Sequence, residues 1–295
     1  MDRLHWAQIP AGPRRAVEEH FGPVTAAHST PPGLTLGVAA RLDTATGPLF
    51  LKAIRADDPT ARLYERERII GRQMPHGIPA PRLLWSHDVD GWILLAFEYL
   101  DGMSADLSPG SADIPLVLDA LACLTVDLTP SPCPAAPSIT TKLNILYHKA
   151  HRFLDEQPQD IPSHALYTRL LRGFDPTDVT GTSLLHADLH AGNFLITGRR
   201  AYAIDWALAS HGAPWVDLAL LAPRFIAAGH TPQHTDELLH HVAAWQHAPR
   251  DKIAGLVVTL TLFREYEAHH GPPRLRAKRK QVANAGHAWL RYCTN

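Results

Sequence analysis

Residues 184–196 read Leu184-Leu185-His186-Ala187-Asp188-Leu189-His190-Ala191-Gly192-Asn193-Phe194-Leu195-Ile196. The stretch is apolar at both ends and polar in the middle, so it predicts two strands framing an exposed loop, the format in which a rigid scaffold presents reactive side chains. Within that loop Asp188 can accept a proton from an attacking hydroxyl or orient it, and Asn193 can offer a neutral oxygen to a hard cation such as magnesium. A second oxygen ligand is needed. If 198–200 form the turn of a hairpin, Thr197 pairs with Ala201, Leu195 with Ala203 and Asn193 with Asp205, which sets the last two side chains roughly 5 Å apart on one face. Asp205 stands between Ile204 and Trp206 at the end of an apolar strand. An unpaired carboxylate is costly to bury there, and a bound cation removes that cost.

Upstream, the first hundred residues predict short strands at 24–28, 35–42 and 49–54, with a turn at 43–47, and a second hairpin from 82–86 and 92–99 around the turn 88–91. Asp58-Pro59 supplies a helix start, and the helix runs to about Met74. From 103 onward the apolar spacing becomes helical, in 114–128, 143–154 and 165–171 and again from Trp215 to the end, interrupted by the strand pair 193–197 and 201–205. The expected fold is therefore α+β, with an N-terminal antiparallel β-sheet and one helix in residues 1–99 and a larger α-helical part in 100–295. The Pro-rich stretch 129–137 is a loop within the second part.

His186-x-Asp188-x-x-x-x-Asn193, with Ile204-Asp205-Trp206 downstream, resembles the catalytic and metal-binding loops of the aminoglycoside phosphotransferase family, relatives of choline kinases and protein kinases. Leu189, His190, Gly192 and Asn193 follow the Asp as they do in that family, which makes the match closer than to protein kinases. The resemblance implies a two-lobe protein-kinase-like fold holding ATP and magnesium (Mg2+) between the lobes. Asp188 would be the catalytic base or hydroxyl-orienting group, and Asn193 and Asp205 the metal ligands. It further implies that Lys52, alone in the apolar strand 49–54, holds the α- and β-phosphates. Glu67 shares a helical stripe with Leu63, Ile70 and Met74, whereas Glu65 points away, so Glu67 is the expected ion-pair partner of Lys52. Glu98 and Leu100 lie where the family offers backbone groups to adenine. Gly33 belongs to the expected phosphate-covering loop, although 29–37 lacks a full glycine fingerprint and Gly33 and Gly37 also read as turn and strand residues. His186 and Asp217 are expected to brace the catalytic loop.

Bulk properties narrow the partners. Lys plus Arg total 28 against 29 Asp plus Glu, so no strong field points to nucleic acid or to an anionic membrane surface. The expected partner is a small molecule bearing a hydroxyl. The longest apolar runs fall short of the roughly 20 residues a membrane span needs. Cys123, Cys133 and Cys293 are scattered, which fits a reducing cytoplasm better than a disulfide framework. The 19 histidines include adjacent pairs such as His240-His241 that read as surface residues. The basic run 274–280 reads as the solvated face of a helix whose other face carries Leu275, Val282 and Trp289.

The acceptor is read in two ways. An aminoglycoside-type antibiotic or amino sugar, with antibiotic resistance as its consequence, would call on acidic neighbours such as Asp236, Glu237, Glu265 and Glu267. A choline-like metabolite would call on an aromatic cage drawn from Trp206, Trp215 or Trp245. Two alternatives lie outside kinase chemistry. One is a nucleotide-binding pseudokinase or scaffold. The other is a binuclear metallohydrolase using His186, Asp188 and His190, which lacks the companion Gly-Asp-x-His and Gly-Asn-His segments and leaves Lys52 and Glu67 unexplained.

Overall fold

The computed structural model describes residues 4–30, 37–158 and 161–294. Gly33 lies outside them. Contacts divide the chain into two units, Met1–Gly102 with Ile204–Leu208, and Met103–Ala203 with Ala209–Asn295.

The first unit is built on a five-stranded antiparallel sheet in the order β1-β2-β3-β5-β4, from β1 (Val24–Ser29), β2 (Val38–Thr44), β3 (Gly47–Arg55), β4 (Leu83–Val89) and β5 (Trp92–Glu98). Helices α1 (Ala11–Phe21) and α2 (Ala61–Gln73) belong to the same unit. Alternation along the strands sorts the side chains into two apolar sets. Leu49, Leu51 and Ala53 of β3 join Trp6, Ile9, Val17, Leu42 and Leu94 in one cluster, while Ile54, Leu95 and Phe97 join Ala61 and Tyr64 of α2 in the other. Lys52 has the parity of Ile54, so it faces α2. Helix α1 was not anticipated, because Ala-Gly-Pro-Arg-Arg-Ala-Val-Glu-Glu-His-Phe buries only Pro13 and Val17. So few apolar positions leave no periodic signal, and the helix is fixed by docking. Helix α2 starts two residues after Pro59: Asp58 accepts hydrogen bonds from the Thr60 amide (2.7 Å) and hydroxyl (2.6 Å), so it closes a turn ahead of the helix.

The second unit is mostly helical: α3 (Asp113–Asp127), α4 (Ile139–Asp155), α5 (His164–Arg172), α6 (Val216–Ala227), α7 (Pro232–Leu239), α8 (Ala243–Gln246), α9 (Arg250–His270) and α10 (Pro273–Thr294). Helix α9 is central, with Ile253–Leu262 buried save for Leu260. Gly255 lets it approach closely, because a Cβ there would lie 2.6 Å from the Cβ of Phe174. Short strands complete the unit: β6 (Met103–Ser104), β7 (Ser183–Leu185), β8 (Phe194–Thr197), β9 (Arg200–Ala203) and β10 (Ser210–Gly212), with β6-β8-β9 in one sheet and β7 paired to β10 in another.

The register of β8 and β9 corrects the sequence reading. Phe194 pairs with Ala203, Ile196 with Ala201 and Thr197 with Arg200. The loop is therefore two residues, Gly198-Arg199, with Gly198 at φ +59°, and not the three residues 198–200. A one-residue change in loop length shifts every partner by one. The ladder ends before both Asn193 and Asp205, and the sheet does not pair them. No described helix is long and apolar enough to cross a membrane.

Candidate functional site

In the second unit, strand β7 delivers the chain into a tightly specified loop. Ala187 sits at φ +62°, a left-handed conformation that costs a non-glycine residue about 1–3 kcal/mol and persists only where surroundings enforce it. The enforcing group is Asp217, in the first turn of α6. Its carboxylate accepts from the amides of His186 (2.7 Å) and Ala187 (2.8 Å). Burial pushes the Asp217 carboxyl above the usual carboxylate range, against the opposing pull of His186 and the two amides. Lys142 of α4 donates to the Ala187 carbonyl at 3.2 Å, a contact that the sequence gave no signal for. His186 is fully buried. Asp217 and the backbone amide of His186 thus meet at the base of the loop.

Asp188 follows the strained residue directly and is half-buried. Its backbone carbonyl accepts from Asn193 Nδ2 at 2.9 Å, while among the described residues its carboxylate has no hydrogen-bond or ion-pair partner. Asn193 lies in the single helical turn Ala191–Asn193, closed when the His190 ring accepts from the Gly192 amide at 3.0 Å. With its amide nitrogen committed to Asp188, Asn193 has its Oδ1 as remaining acceptor. Burial pushes the His190 pKa below its ordinary value, with Asp188 pulling it up and Arg224, Lys278 and His186 adding to the downward shift. No three His, Cys, Asp or Glu side chains gather into a metal-holding group among the described residues, so His186, Asp188 and His190 do not form a binuclear centre's ligand cluster.

In the first unit, the Lys52 ammonium donates to Glu67 Oε2 (2.6 Å) and to Asp205 Oδ1 (2.9 Å). Burial acts to lower the lysine pKa, but the two carboxylates outweigh it and the net shift is upward, so Lys52 stays cationic. Glu67 is buried. Burial pushes its carboxyl up, Lys52 pulls it back, and the Trp206 amide hydrogen-bonds to it. The expected partner of Lys52 is therefore in place, and Asp205 is an additional one. Asp205 is exposed, with a φ of +67°. It is not the buried end of a strand that its apolar neighbours suggested.

Glu98 ends β5, where its amide donates to the Arg82 carbonyl (2.9 Å) and its carboxylate accepts from the Arg82 amide (2.9 Å) and Nε (3.1 Å). Leu100 follows in irregular, half-buried chain. Gly37 opens onto β2 and is a close-approach residue: a Cβ there would lie 2.6 Å from the Ala53 carbonyl and would collide with the Tyr64 hydroxyl.

The candidate acceptor groups fare differently. Asp236 accepts from Trp245 Nε1 (2.7 Å), Arg250 (2.8 Å) and the Tyr292 hydroxyl (3.1 Å). Glu265 is fully buried and bonded to Lys280 (2.8 Å) and His287 (2.7 Å). Glu267 is paired with Lys149 at 3.1 Å, and Glu237 accepts from Gln233 at 3.0 Å. These carboxylates are satisfied within the fold. Trp206, Trp215 and Trp245 are all buried, so none of them offers an open cage face. The basic run is likewise only partly solvated, because Lys280 serves Glu265 and Arg279 is half-buried.

Residues 37–256 match the family model of the phosphotransferase enzyme family. No sequence among the curated proteins matches the chain significantly. Among solved structures, spectinomycin phosphotransferase APH(9)-Ia in complex with ADP and spectinomycin is similar at a TM-score of 0.67 and 12% identity, over 96% of this chain and 99% of that one. A thermostable mutant of aminoglycoside phosphotransferase APH(4)-Ia, in ternary complex with ADP and hygromycin B, gives 0.60 and 16% over 92% and 97%. The choline kinase LicA from Streptococcus pneumoniae gives 0.60 and 16% over 93% and 98%. These identities speak for the α+β, kinase-like fold, and the family match covers most of the sequence. The chain belongs to the phosphotransferase enzyme family.

Proposed function

We propose that this phosphotransferase uses ATP with magnesium and moves the γ-phosphoryl group to a hydroxyl of a small molecule. The observation that carries this reading is Asp188, a half-buried carboxylate without a protein partner among the described residues, on a loop that Asp217 locks in place. A group so held can take or orient the proton of an acceptor hydroxyl. The acceptor oxygen bonds to phosphorus, the bond to the bridging oxygen breaks, and ADP leaves with the electron pair. Residues 1–99 are the nucleotide-binding part and 100–295 the catalytic and acceptor-binding part. Lys52, kept charged by Glu67 and Asp205, orients the α- and β-phosphates. Backbone groups of Glu98 and Leu100 serve the adenine, and the segment containing Gly33 covers the phosphates.

Asn193 and Asp205 supply a neutral oxygen and an accessible carboxylate, the hard donor pair that suits magnesium, which keeps several waters and takes only one or two protein carboxylates. When bound, the cation would offset charge on the transferring phosphoryl group. An aminoglycoside or amino sugar is the acceptor that the hygromycin B and spectinomycin complexes suggest, with antibiotic resistance as the phenotype. Choline is the alternative from a third similar structure. The free thiols of Cys123, Cys133 and Cys293 suit a cytoplasmic setting.

The test is ADP release in the presence of ATP, magnesium and hydroxyl-bearing acceptors, beside a thermal shift with nucleotide. We expect Asp205→Ala to lose turnover while its melting profile stays cooperative. Unchanged activity in Asp205→Ala would remove the metal assignment, and nucleotide binding without transfer to any acceptor would favour a scaffold.

A further inference from the structure

The main chain around Asp188 is held peptide by peptide, by side chains from three elements of the second unit. Asp217 of α6 accepts from the amides of His186 (2.7 Å) and Ala187 (2.8 Å), which fixes the peptide that enters Ala187. Lys142 of α4 donates to the Ala187 carbonyl at 3.2 Å, which fixes the peptide between Ala187 and Asp188. Asn193, in the turn Ala191–Asn193, donates from Nδ2 to the Asp188 carbonyl at 2.9 Å and fixes the next one. The φ of +62° at Ala187 is a rotation between the first and second of these peptides. A non-glycine residue keeps such a conformation only where its surroundings over-determine it. Asp217 alone does not, because it leaves the peptide on the far side of the rotation free to turn. The Cα of Asp188, in turn, lies between the peptide that Lys142 holds and the one that Asn193 holds.

Lys142 is itself tied to the framework that delivers the loop. Ser138 caps α4 by accepting from the Thr140 amide (3.3 Å) and bridges to His211 of β10, whose amide donates to the Pro137 carbonyl at 2.7 Å. Strand β10 pairs with β7, and β7 leads into His186. Gly212 permits this approach: a Cβ there would lie 2.9 Å from Ile139 Cγ2 and 2.5 Å from Leu185 Cδ1. The lysine therefore stands in the first turn of a helix whose start is anchored to the strand pair that carries the loop. Nothing in the helix itself asks for a cation there, since the first turn is the positive end of the helix dipole. Half-buried, the ammonium gives up part of its hydration to reach a carbonyl of the catalytic loop.

We infer that Lys142 is a positioning residue for phosphoryl transfer: acting through the Ala187 carbonyl, it sets the direction in which Asp188 presents its carboxylate. This rests on the phosphotransferase reading of Asp188. No bond forms or breaks at the lysine. An anion grips the N–H ends of two successive peptides and a cation grips the C=O end of the next, so the strained rotation at Ala187 is held from both sides. Loss of the ammonium frees the second peptide, and its turning swings the Asp188 side chain away from the acceptor oxygen. The contacts of Lys52 with Glu67 and Asp205 lie in the other unit and are untouched. A misplacement of about 1 Å is enough to cost on the order of a hundredfold in rate.

The test compares Lys142→Met, which keeps the stem and removes the donor, with Lys142→Arg, which keeps a cationic donor for a single carbonyl oxygen. ADP release is measured with ATP and magnesium, with hygromycin B, spectinomycin, choline or water as the acceptor. We expect Lys142→Met to lower kcat about ten- to a hundredfold, with KM for ATP unchanged and urea unfolding still cooperative, and Lys142→Arg to recover most of the loss. Combined with Asp188→Asn, Lys142→Met should cost little beyond Asp188→Asn alone, because both act at one carboxylate. Independently of turnover, amide hydrogen exchange across 184–196 should quicken in Lys142→Met while the rest of the unit keeps its protection. An unchanged kcat, a loss that adds in full to that of Asp188→Asn, unchanged exchange in the loop, or a Lys142→Met protein that no longer folds would each overturn the inference. A wild-type protein that releases no ADP with any of these acceptors would instead defeat the phosphotransfer reading, and the exchange measurement would still judge the hold of Lys142 on the loop.

Discussion

The carboxylates of the α9 and α10 region and the charges around Asp188 obey opposite rules. Glu265 is fully buried, yet it meets Lys280 and His287, while Asp236 meets Arg250, Trp245 and Tyr292. Each of these charges is satisfied by the protein itself, and such groups hold helices in register. Around Asp188 the arrangement differs, because among the described residues its half-buried carboxylate has no hydrogen-bond or ion-pair partner. Folding by itself gains little from that arrangement, which is what the catalytic role proposed for Asp188 accounts for. The comparison shows that acidic residues in a sequence do not identify a cation site; what matters is whether they have already been used.

The contrast can be broken at either end. Asp188→Asn should cut turnover by about 10²–10⁴-fold, the contribution of a positioned general base, with little change in urea unfolding. A loss of folding in place of turnover would make Asp188 structural. Glu265→Ala should do the reverse, since removing one partner of a buried ion pair costs about 3–5 kcal/mol. Chemical denaturation would reveal that loss, and activity per folded molecule should hold.

Asp236 gives a smaller effect and a pH signature. Burial alone would raise its pKa, but Arg250, Trp245 and Tyr292 outweigh burial and hold the carboxyl below its ordinary value. The stability it contributes is present above the unfolded-state pKa of about 3.9 and is lost as pH falls through the depressed folded value. Asp236→Asn should cost about 1.5–3 kcal/mol at neutral pH and flatten the acid limb of the stability profile; an unchanged limb would mean that another carboxylate dominates it. At the small end, Arg274→Gln, on the exposed part of α10, should shift stability by no more than about 0.5 kcal/mol. A larger change would show that the basic run is engaged along its whole length.

Much of this was legible in residue order. Alternation in 49–54 puts Lys52 on the face opposite Leu51, and the stripe through Leu63, Glu67 and Ile70 puts Glu67 toward it; their 2.6 Å contact follows from two periodicities. The run from His186 to Asn193 signalled a loop between strands, and β7 and β8 flank it. Helix α1 was invisible because its sequence has almost no apolar stripe. The β8 and β9 register departs from the sequence reading because Arg200 joins the ladder opposite Thr197 instead of standing in the turn, a one-residue difference that the local apolar pattern does not resolve.

By itself, then, the sequence determined the fold class, the loop carrying Asp188 and the lysine-glutamate pair, because each is written in local periodicity and in residue types that have few other uses. Only the tertiary structure decided that Asp205 reaches Lys52, that Asp236 and Glu265 are already satisfied, and that Asp217 holds the amides of His186 and Ala187. Those are meetings of groups from 9 to 153 positions apart, and a charge discloses its purpose only when its neighbours in space are known.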